Sequence, residues 1–370
     1  MKILQIIPLL GSGGAECFVV DLCNEMAAKG ADVHLCLIQN PEERDFGFYL
    51  SELNAEVTFT SFNQPKGFRL KNVILLTRLI RSLKPNVVHA HLGILSYLYF
   101  INFFLLNTRI FYTIHSLAHK SCSNLLFKIL NYVYFSSGII RVITISDECT
   151  QSYHRFYGLK NANQILNGRL KVLPTKQYSS VEKEINGLKK SKEDLVFVHV
   201  ARYHEAKNQE LLIRVFNRLY SENEKFILLI LGDWSFCDEA VHLAQTAEKC
   251  IHFLGTKTNV GDYLYLSDAF CLTSVYEGLP ISLLEAISCG CVPVCTPVGG
   301  ITEVVRHGVT GFLSDDVSEP AYYAAVKNYM KNRELIKKES LIQLFDNQYS
   351  IEISARNHLQ LFERIIHKNG

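Results

Sequence analysis

Short apolar stretches with the composition of buried strands alternate along the chain with stretches whose apolar residues recur at helical spacing, and this alternation occurs twice. The strand-like stretches are residues 2–7, 32–38, 56–60, 86–90, 109–115 and 140–146, followed by 194–201, 225–231, 250–254, 269–272 and 292–295. Strands that alternate with helices form a parallel sheet with helices on both of its faces. The alternation therefore predicts an α/β protein with two doubly wound parallel sheets.

One polar segment interrupts this alternation and marks a domain boundary. Residues 168–193 are polar and charged and include one proline and two glycines. A chain of 370 residues also exceeds the length of about 250–300 residues at which a single hydrophobic core stops growing. We expect a first domain at 1–167, a linker at 168–193 and a second domain at 194–349, with a C-terminal helix at about 350–370 that packs back on the first domain.

The charge balance and the cysteines exclude several classes of protein. Lys and Arg number 38 and Asp and Glu number 36, a net charge of +2 that provides no electrostatic footprint for nucleic acid. The 11 cysteines include no Cys-x-x-Cys pair, and we interpret them as free thiols in a reducing cytosol. The N-terminal sequence lacks the pattern of a signal peptide. We therefore expect a cytoplasmic protein that does not bind nucleic acid.

One segment leaves contact with a membrane open. No stretch reaches the ~20 apolar residues of a spanning helix, but residues 92–106 are uncharged and rich in Tyr and Phe. A buried crossover helix accounts for this composition, and so does a hydrophobic face that touches a membrane surface. The aromatic residues of this region are Tyr97, Tyr99, Phe100, Phe103, Phe104, Phe127, Tyr132, Tyr134 and Phe135.

The first candidate site is a glycine-rich loop after the first predicted strand. Gly13 and Gly14 lie between a strand and a helix, where glycines let a phosphate or a sugar approach the backbone and the helix N-terminus favours negative charge. Glu16 stands in the place of the third glycine of the dinucleotide-binding fingerprint, so the loop does not match that fingerprint. A simple tight turn is the alternative interpretation.

The second candidate site is a pair of cations. Arg202 and Lys207 flank the end of a predicted strand and the start of the next predicted helix. At such a position they could clamp a diphosphate, Arg through its planar fork and Lys as a point charge. Two exposed surface cations are the alternative interpretation.

The third candidate site is the loop and helix that contain two glutamates. Pro280 suits the first position of a helix, which leaves the N–H groups of 281–283 free to meet a phosphate. Glu285 lies slightly more than one turn into that helix, and a carboxylate there suits a ribose diol. Glu277 on the loop could accept hydrogen bonds from the hydroxyls of a sugar. One loop acid and one helix-surface acid are the alternative.

A histidine pair completes the candidates. His89 and His91 are two residues apart on a predicted strand, so both point to one face. They could form half of a metal site, although no third ligand is apparent, or they could be core histidines with satisfied hydrogen bonds.

The string EGLPISLLE at 277–285 resembles the E-x7-E motif of retaining nucleotide-sugar glycosyltransferases, and the best match is glycosyltransferase family 4. The resemblance covers nearly the whole chain. Its other elements are GSGGAE at 11–16, VVHAH at 87–91, TIHS at 113–116, TIS at 144–146, Asn167 with Gly168, Arg202 with Lys207 and Asn208, LGD at 231–233, FLG at 253–255, and PVGGITEVV through GVTGFL. It implies the GT-B fold, in which two Rossmann-like domains face a central cleft.

The resemblance also implies roles for the candidate residues. Arg202 and Lys207 would clamp the donor diphosphate, Glu285 would bind the ribose, and Glu277 would hold the hydroxyls of the donor sugar. The implied donor-binding set is Gly13, Gly14, Arg202, Lys207, Glu277, Gly278, Leu279, Pro280, Ser282, Leu283 and Glu285. The implied catalytic set is Glu277, His115, Arg202 and Lys207, in which His115 faces the donor sugar. The implied acceptor-side set is Gly13, Glu16, His89 and His91. Because the cations and the helix dipole stabilise the leaving diphosphate, no metal or other cofactor is expected.

The implied activity is the retaining transfer of a sugar from a nucleotide-sugar to a glycan or a polyprenyl-diphosphate-linked glycan. Such enzymes serve the synthesis of capsule, O-antigen (a part of lipopolysaccharide) or exopolysaccharide, and we expect a cytoplasmic enzyme with peripheral contact at the inner face of the plasma membrane. A nucleotide-sugar epimerase of the same fold and an inactive partner subunit are the alternatives. The E-x7-E string and the GGAE loop favour the transferase.

Three positions depart from the family pattern. Arg169 with Leu170 follows Asn167-Gly168, where many relatives have an aliphatic residue and Asp, Trp234 follows LGD where Gly is common, and Ala201 stands where Gly is usual. These departures bear on the contacts to the base and the sugar, and not on the class of reaction.

Overall fold

The computed structural model describes residues 1–42, 46–101, 108–122, 124–234 and 238–367. The chain forms two compact units, one made of Met1–Leu170 with Tyr349–Gly370 and the other of Lys171–Gln348.

The first unit contains a parallel sheet with helices on its faces. Its elements up to residue 164 are β1 (Lys2–Ile7), α1 (Gly14–Ala28), β2 (Asp32–Gln39), β3 (Thr58–Gln64), α2 (Leu70–Leu83), β4 (Val87–His91), α3 (Leu95–Ile101), β5 (Arg109–Ile114), α4 (Leu125–Ser136), β6 (Ile140–Thr144), α5 (Asp147–Tyr157) and β7 (Asn163–Gln164). The described strands lie in the order β3-β2-β1-β4-β5-β6-β7, and every neighbouring pair is parallel. Because right-handed crossovers cover both faces of such a sheet, its central strand β4 is buried throughout.

The second unit repeats this architecture. Its elements are α6 (Tyr178–Leu188), β8 (Leu195–Val200), α7 (Gln209–Ser221), β9 (Phe226–Leu231), α8 (Asp238–Gln245), β10 (Ile251–Gly255), α9 (Val260–Tyr265), β11 (Ala269–Leu272), α10 (Ile281–Ser288), β12 (Val292–Cys295), α11 (Ile301–Val304), β13 (Phe312–Leu313), α12 (Glu319–Asn332) and α13 (Lys338–Leu344). The strand order among the described residues is β10-β9-β8-β11-β12-β13, again with every neighbouring pair parallel. The prediction of two doubly wound parallel sheets is confirmed.

The predicted linker at 168–193 is wrong as a separate segment. The division between the units falls after Leu170, and everything from Lys171 onward belongs to the second unit. Within it, α6 buries Val181 and Ile185, which lie four residues apart on one helix face, and α6 packs against α9. The polar composition of the segment hid this short apolar stripe.

Both sheets reverse their strand order at one point, and that point locates the candidate sites. The reversal lies between the neighbouring strands β1 and β4 in the first sheet, and between β8 and β11 in the second. At such a switch point the connections leave in opposite directions and open a crevice at the carboxyl ends of the strands. The loops that begin at Pro8, Ala201 and Thr273 all start from these strand ends.

The C-terminal helix α14 (Ile351–His367) belongs to the first unit. It packs against α1, and the Ser354 hydroxyl donates a hydrogen bond to the Leu166 carbonyl at 2.9 Å. Gly168 passes so close to this helix that a Cβ there would lie 2.7 Å from the Ser350 carbonyl oxygen. The glycine is therefore needed for close packing of the chain against the start of α14.

An ion pair accounts for the departure at Arg169. Its Nη1 lies 2.6 Å from Oδ2 of Asp21, a nearly buried residue of α1, and the same oxygen accepts a hydrogen bond from the Leu170 N–H at 3.0 Å. Arg169 thus anchors the last residues of the first unit to α1.

The uncharged segment at 92–106 is a crossover in the part that is described. Residues 92–101 form a short 3-10 turn followed by α3, whose residues Tyr97, Leu98, Tyr99 and Ile101 are buried. Residues 102–106, including Phe103 and Phe104, lie outside the described residues. Within the described ranges, no helix is both long enough and apolar enough to cross a bilayer.

Candidate active site

The loop between β8 and α7 carries both predicted cations of the second unit. Arg202 is exposed two residues after β8, and within the described part of the chain its guanidinium has no hydrogen bond or ion pair. Lys207 ends a 3-10 turn formed by Glu205–Lys207, and Asn208 then adopts a left-handed conformation before α7 begins. Lys207 therefore lies two residues before α7, because the turn precedes the helix.

Lys207 and Glu277 form an ion pair, which sequence reasoning did not foresee. The Lys207 Nζ lies 2.6 Å from Oε1 of Glu277, and the Ser274 hydroxyl donates to the same oxygen at 2.6 Å. Within the described residues, Oε2 of Glu277 accepts no hydrogen bond. The carboxylate is thus held by one oxygen, and the other oxygen can accept a hydroxyl of a ligand.

Hydrogen bonds to backbone carbonyls connect the two loops that carry this pair. The Thr273 hydroxyl bonds to the carbonyls of Lys207 and Asn208 at 2.9 and 3.0 Å, and the Val275 N–H donates to the Ala206 carbonyl at 2.9 Å. The spacing between Lys207 and Glu277 is therefore set by the backbone as well as by their own attraction.

The loop between β12 and α11 packs against the backbone at Glu277 and Gly278. The Gly300 N–H donates to the Gly278 carbonyl at 2.7 Å, and Gly299 has a positive φ of 56°. A Cβ on Gly299 would lie 2.1 Å from the carbonyl oxygen of Glu277. Only glycine fits there, for reasons of both conformation and space.

The start of α10 differs by one residue from its prediction. Pro280 is the N-cap, with an extended ψ of 125°, and Ile281 is the first helical residue, so the prediction that Pro280 takes the first helical position is wrong. A fixed φ near −65° suits either position, and only ψ distinguishes them. The Leu283 N–H donates to the Pro280 carbonyl at 3.2 Å. The N–H groups of Ile281 and Ser282, the first two of α10, come before it and have no partner within the helix.

The remaining predicted donor residues surround these groups. Gly278 and Leu279 are buried beneath the loop, whereas Glu285 is half-buried on α10, one turn after Ile281. The structure therefore brings Lys207 and Glu277 into contact and places Glu285 on the helix that follows their loop.

A pocket adjoins the Arg202 loop at the carboxyl ends of β9 and β10. It has a volume of about 710 Å³ and is lined by Gly232, Asp233, Trp234, Val241, Ala244, Gln245, Phe253, Gly255 and Thr256. The Tyr203 N–H donates to the Asp233 carbonyl at 2.9 Å, which connects the pocket to the loop of Arg202.

Trp234, the departure from the family pattern, is a wall of this pocket. Its indole is 8% exposed and packs between Tyr203 and Phe253, with ring centroids 5.3 and 4.9 Å away. Its Nε1–H has no hydrogen-bond partner among the described residues. Because a buried N–H usually has a partner, this donor is suited to a carbonyl or ring nitrogen of a ligand.

The departure at Ala201 lies where the loop after β8 passes very close to the loop after β9. Gly232 has a φ of 138°, and a Cβ on it would lie 2.1 Å from the Ala201 carbonyl oxygen. The close approach of the two loops therefore depends on the glycine at 232 and not on residue 201.

Sequence reasoning missed His199, which lies in β8 before the cations. Its ring is fully buried, Nδ1 donates to the Cys271 carbonyl at 2.9 Å, and Nε2 has no partner among the described residues. Burial, assisted by the nearby charge of Lys207, lowers the pKa of His199 to about 4. The residue is therefore neutral and adds no positive charge beside Lys207.

In the first unit, the glycine-rich loop is closed by its own glutamate. Gly13 is the N-cap of α1 and Gly14 is its first residue. A Cβ on Gly13 would lie 2.4 Å from Oε2 of Glu16, so the space above Gly13 holds the nearly buried Glu16 carboxylate. A ligand that approaches this backbone must meet or displace that carboxylate.

A hydrogen-bonded chain leads from β1 to His115. The Gln5 side-chain oxygen lies 2.9 Å from Nε2 of His91, and Nδ1 of His91 lies 2.9 Å from Nε2 of His115. The Gln5 amide nitrogen faces the Met26 sulfur at 3.6 Å, which favours this orientation of the amide. The oxygen can only accept, so His91 carries its proton on Nε2 and His115 carries its proton on Nε2.

His89 and His358 extend this group into a buried cluster. The ring of His89 is 4.1 Å from that of His91 and 5.4 Å from that of His358, and its Nε2 bonds to the Thr113 hydroxyl at 2.7 Å. Among the described residues, no group of three or more His, Cys, Asp or Glu side chains is placed to hold a metal ion. The structure favours the interpretation of His89 and His91 as core histidines.

Burial keeps the whole cluster neutral. It lowers the pKa of His115 to about 3 and that of His358 to about 4. The pKa values of His89 and His91 also lie well below the usual range, first because of burial and second because of the neighbouring histidines. The cluster therefore contains no charge at neutral pH.

Two family descriptions match the chain, one in each half. The family described as Glycosyltransferase Family 4 matches residues 12–168, and the family described as Glycosyl transferases group 1 matches residues 180–343.

Three curated relatives illustrate the likeness. N-acetyl-alpha-D-glucosaminyl L-malate synthase of Bacillus anthracis is 31% identical over 130 residues, 34% of this chain and 33% of that protein. Putative glycosyltransferase EpsF of Bacillus subtilis is 33% identical over 48% of this chain and 47% of its own length. UDP-Gal:alpha-D-GlcNAc-diphosphoundecaprenol alpha-1,3-galactosyltransferase of Escherichia coli is 25% identical over 66% of each protein. The matches to the first two relatives thus span a third to a half of their lengths.

A solved structure has the same fold over its full length. The crystal structure of Anabaena HepE in complex with UDP and glucose superposes with a TM-score of 0.82 at 18% identity, and the match covers 98% of this chain and 99% of that one.

We predict that Gly299→Ala is far more destabilising than Gly308→Ala. Both glycines have positive φ, 56° and 71°, so both alanines incur the same backbone strain of about 1 kcal/mol. Only at 299 would the new methyl group overlap a neighbour, the Glu277 carbonyl, whereas Gly308 has nothing within 4 Å. A further loss of about 2 kcal/mol should lower the thermal midpoint by roughly 4–8 °C beyond that of Gly308→Ala. Equal midpoints would contradict the close contact.

We predict that the first unit loses stability as the pH falls from 7.5 to 5. Unfolded histidines bind protons below a pH of about 6.5, whereas the folded His115 and His358 stay neutral to about pH 3 and 4. The unfolded state thus binds more protons in this range, and stability decreases as the pH falls. Calorimetric midpoints should depend less on pH in His358→Gln, while the exposed His242→Gln keeps the slope of the parent. Identical slopes in both variants would refute the explanation.

Proposed function

The chain belongs to the GT-B glycosyltransferases, in the families described as Glycosyltransferase Family 4 and Glycosyl transferases group 1, and from this premise we propose that it moves a sugar from a nucleotide-sugar to a glycan or a polyprenyl-diphosphate-linked glycan with retention of anomeric configuration. The observation that carries the proposal is the Glu277 carboxylate, held through one oxygen by Lys207 and Ser274 with its other oxygen open to a ligand.

The donor would bind along the carboxyl edge of the second sheet. The base would occupy the pocket walled by Trp234, where the free indole N–H supplies a donor. Arg202, on the loop that adjoins this pocket, and Lys207 would bind the diphosphate, with the first N–H groups of α10 as further donors. Glu285 would accept the ribose hydroxyls, and Oε2 of Glu277 would accept those of the sugar. The strand order β10-β9-β8-β11 would place the pocket, the two cations and Glu277 along the sheet edge in the order of base, diphosphate and sugar in the donor.

The proposed reaction breaks the bond between the anomeric carbon and the donor phosphate oxygen while the acceptor oxygen attacks from the same face. The acceptor proton passes to the departing phosphate, so no side chain acts as an obligatory base. Negative charge grows on the leaving diphosphate, and the fixed charges of Arg202 and Lys207 stabilise it in the transition state. Lys207 keeps two further N–H donors for this task while it holds Glu277.

In the first unit, we assign His115 to the donor sugar and Gly13, Gly14 and Glu16 to the loop near the reacting groups. The hydrogen-bonded chain from Gln5 through His91 holds the His115 ring in one orientation and one protonation state. A neutral imidazole suits contact with sugar hydroxyls and adds no charge that would bind free phosphate.

The acceptor and the cellular setting follow by analogy with the relatives. The Escherichia coli relative is named for a diphosphoundecaprenol-linked acceptor, and the HepE structure holds UDP and glucose. We propose a UDP-sugar as the first donor to test and a lipid-linked glycan for a bacterial surface polysaccharide as the acceptor. The enzyme would then work in the cytoplasm at the inner face of the plasma membrane.

We predict that UDP binding changes the fluorescence of Trp234, the single tryptophan of the chain. Lys207→Met should raise the Kd of UDP about 10- to 100-fold, because a charge-assisted hydrogen bond is lost. Glu277→Gln should leave the Kd of UDP within about threefold and reduce sugar transfer at least 100-fold, because its role concerns the sugar. The matched control is Lys225→Met, which removes the lysine of the exposed Lys225–Glu193 pair.

Three outcomes would count against the proposal. Unchanged UDP binding in Lys207→Met would remove the diphosphate clamp. An epimerised nucleotide-sugar in the absence of any acceptor would favour the epimerase. Unaltered cellular glycan after Glu277→Ala and Glu285→Ala, in a protein that stays folded, would favour the inactive partner subunit.

Mass spectrometry and the anomeric NMR couplings of the product decide between transfer with retention and transfer with inversion.

We further predict that transfer persists in excess EDTA with at most about a twofold loss of rate. The proposal assigns the neutralisation of the diphosphate to Arg202 and Lys207, so a divalent cation has no required place in it. Initial rates with and without EDTA, and after addition of Mg²⁺ or Mn²⁺, measure this. Abolition by EDTA and recovery with one metal would show that the two cations are insufficient.

A further inference from the structure

The two strands that lead into the candidate site are joined by a short backbone ladder. The register between β8 and β11 contains two residue pairs, Phe197 with Ala269 and Val198 with Phe270. In contrast, β8 pairs with β9 at six positions and β11 pairs with β12 at four. The ladder between β8 and β11 therefore ends two residues before each of the two strands does.

A side chain connects the strands at the next register position. His199 and Cys271 follow the last backbone pair, and Nδ1 of His199 lies 2.9 Å from the Cys271 carbonyl oxygen. Because this oxygen can only accept, His199 carries its proton on Nδ1. The ring thus continues the connection between β8 and β11 beyond the end of their ladder.

The surroundings keep His199 in this single state. The side chains of His199 and Cys271 are both fully buried, and burial lowers the pKa of His199 to about 4. The ring is therefore neutral at pH 7, and its Nδ1–H remains a donor. A buried carbonyl that lost this donor would be left without a partner, which is unfavourable.

Packing alone does not account for a histidine at this position. The sequence of β8 is LVFVHV, so every other residue of the strand is apolar. Nε2 of His199 has no hydrogen-bond partner among the described residues, and a buried polar atom without a partner is costly. The bond from Nδ1 to the Cys271 carbonyl is thus the contribution that distinguishes histidine from an apolar residue.

Further contacts link the two chain segments after this bond. The Thr273 hydroxyl bonds to the carbonyls of Lys207 and Asn208 at 2.9 and 3.0 Å. Nζ of Lys207 then lies 2.6 Å from Oε1 of Glu277. The His199 bond is the first in this series of links, and the ion pair is the last.

We propose that His199 is a positioning residue, which fixes the spacing of Lys207 and Glu277 by holding the ends of β8 and β11 together. The fully buried ring acts through these two side chains and not on the donor itself. This role rests on the proposed function in one respect, because that function has Lys207 and Glu277 act on the same donor.

The coupling between Lys207 and Glu277 tests this role without any need for sugar transfer. A double-mutant cycle of Lys207→Met and Glu277→Gln gives the coupling from free energies of unfolding in urea. Fluorescence of the single tryptophan, Trp234, reports the unfolding of the second unit, in which it lies. The same cycle is then measured in the His199→Leu background.

We expect the coupling to fall to about half or less in the His199→Leu background, because the pair loses its fixed spacing. A merely structural role would lower the stability of all four proteins of the cycle by the same amount and leave the coupling unchanged. The matched control is Tyr322→Phe, which removes another buried bond from a side chain to a strand carbonyl of the same sheet, that of Val294 at 3.1 Å. It should leave the coupling as in the parent.

Two further variants identify the ring nitrogen that acts. His199→Asn places an amide N–H where Nδ1 lies and should restore most of the coupling. His199→Gln places its amide near the position of Nε2 instead and should not restore it. The glutamine variant also answers the question if His199→Leu does not fold.

Transfer rates give a second readout. His199→Leu should lower kcat about tenfold and have no further effect in the Lys207→Met background, since both changes disturb the same pair. Tyr322→Phe should keep kcat within about twofold of the parent.

The outcomes separate this role from the proposed function. No coupling in the parent, or the same coupling in the parent, His199→Leu and His199→Gln, would overturn the role of His199 whatever the enzyme transfers. Rescue by His199→Gln and not by His199→Asn would also overturn it, because Nε2 and not the bond to Cys271 would then act. A coupling that depends on His199 in a protein that transfers no sugar would support the role and count against the proposed function alone.

Discussion

Parallel pairing of β8 with β11 is the constraint on which the candidate active site depends. The two strands are more than 60 residues apart in sequence, yet their hydrogen-bonded neighbourhood brings the loops after them to the same edge. Lys207 on one loop then reaches Glu277 on the other, and the Thr273 hydroxyl fastens the backbones beneath them. Because the strand order reverses here, the helices that follow β8 and β11 lie on opposite faces of the sheet, and such a reversal opens a crevice at the carboxyl ends of the two strands.

Close backbone approach is the second condition of this arrangement. Gly299 and Gly232 each lie where any side chain would strike a neighbouring carbonyl oxygen, at Glu277 and Ala201 respectively. The glycines therefore act through the absence of a Cβ and not through flexibility. At Gly13 the sequence predicts space for a ligand beside the backbone. In the structure the Glu16 carboxylate occupies that space.

In the first unit, the main physical constraint is the burial of polar histidine rings. Four histidines meet between the sheet and α14, and neutrality is the condition for their burial. Gln5 sets the direction of the hydrogen bonds because its oxygen can only accept, and that direction extends through His91 to His115. A residue of β1 thus determines which nitrogen of His115 carries a proton, at a distance of two hydrogen bonds.

The sequence by itself determined the two parallel sheets, nearly all of their longer strands, and the chemistry of the donor loops, because the alternation of apolar strands with helices and the order of local motifs are properties of neighbouring residues. It could not show β7 and β13, which are two residues long, or the apolar stripe of α6 in a polar segment. Only the tertiary structure decided that Lys207 pairs with Glu277, that Trp234 lines a pocket with an N–H that has no partner among the described residues, and that His89 and His91 are core residues. Each of these facts depends on residues far apart in sequence, whose contacts arise from strand order and packing and leave no local pattern.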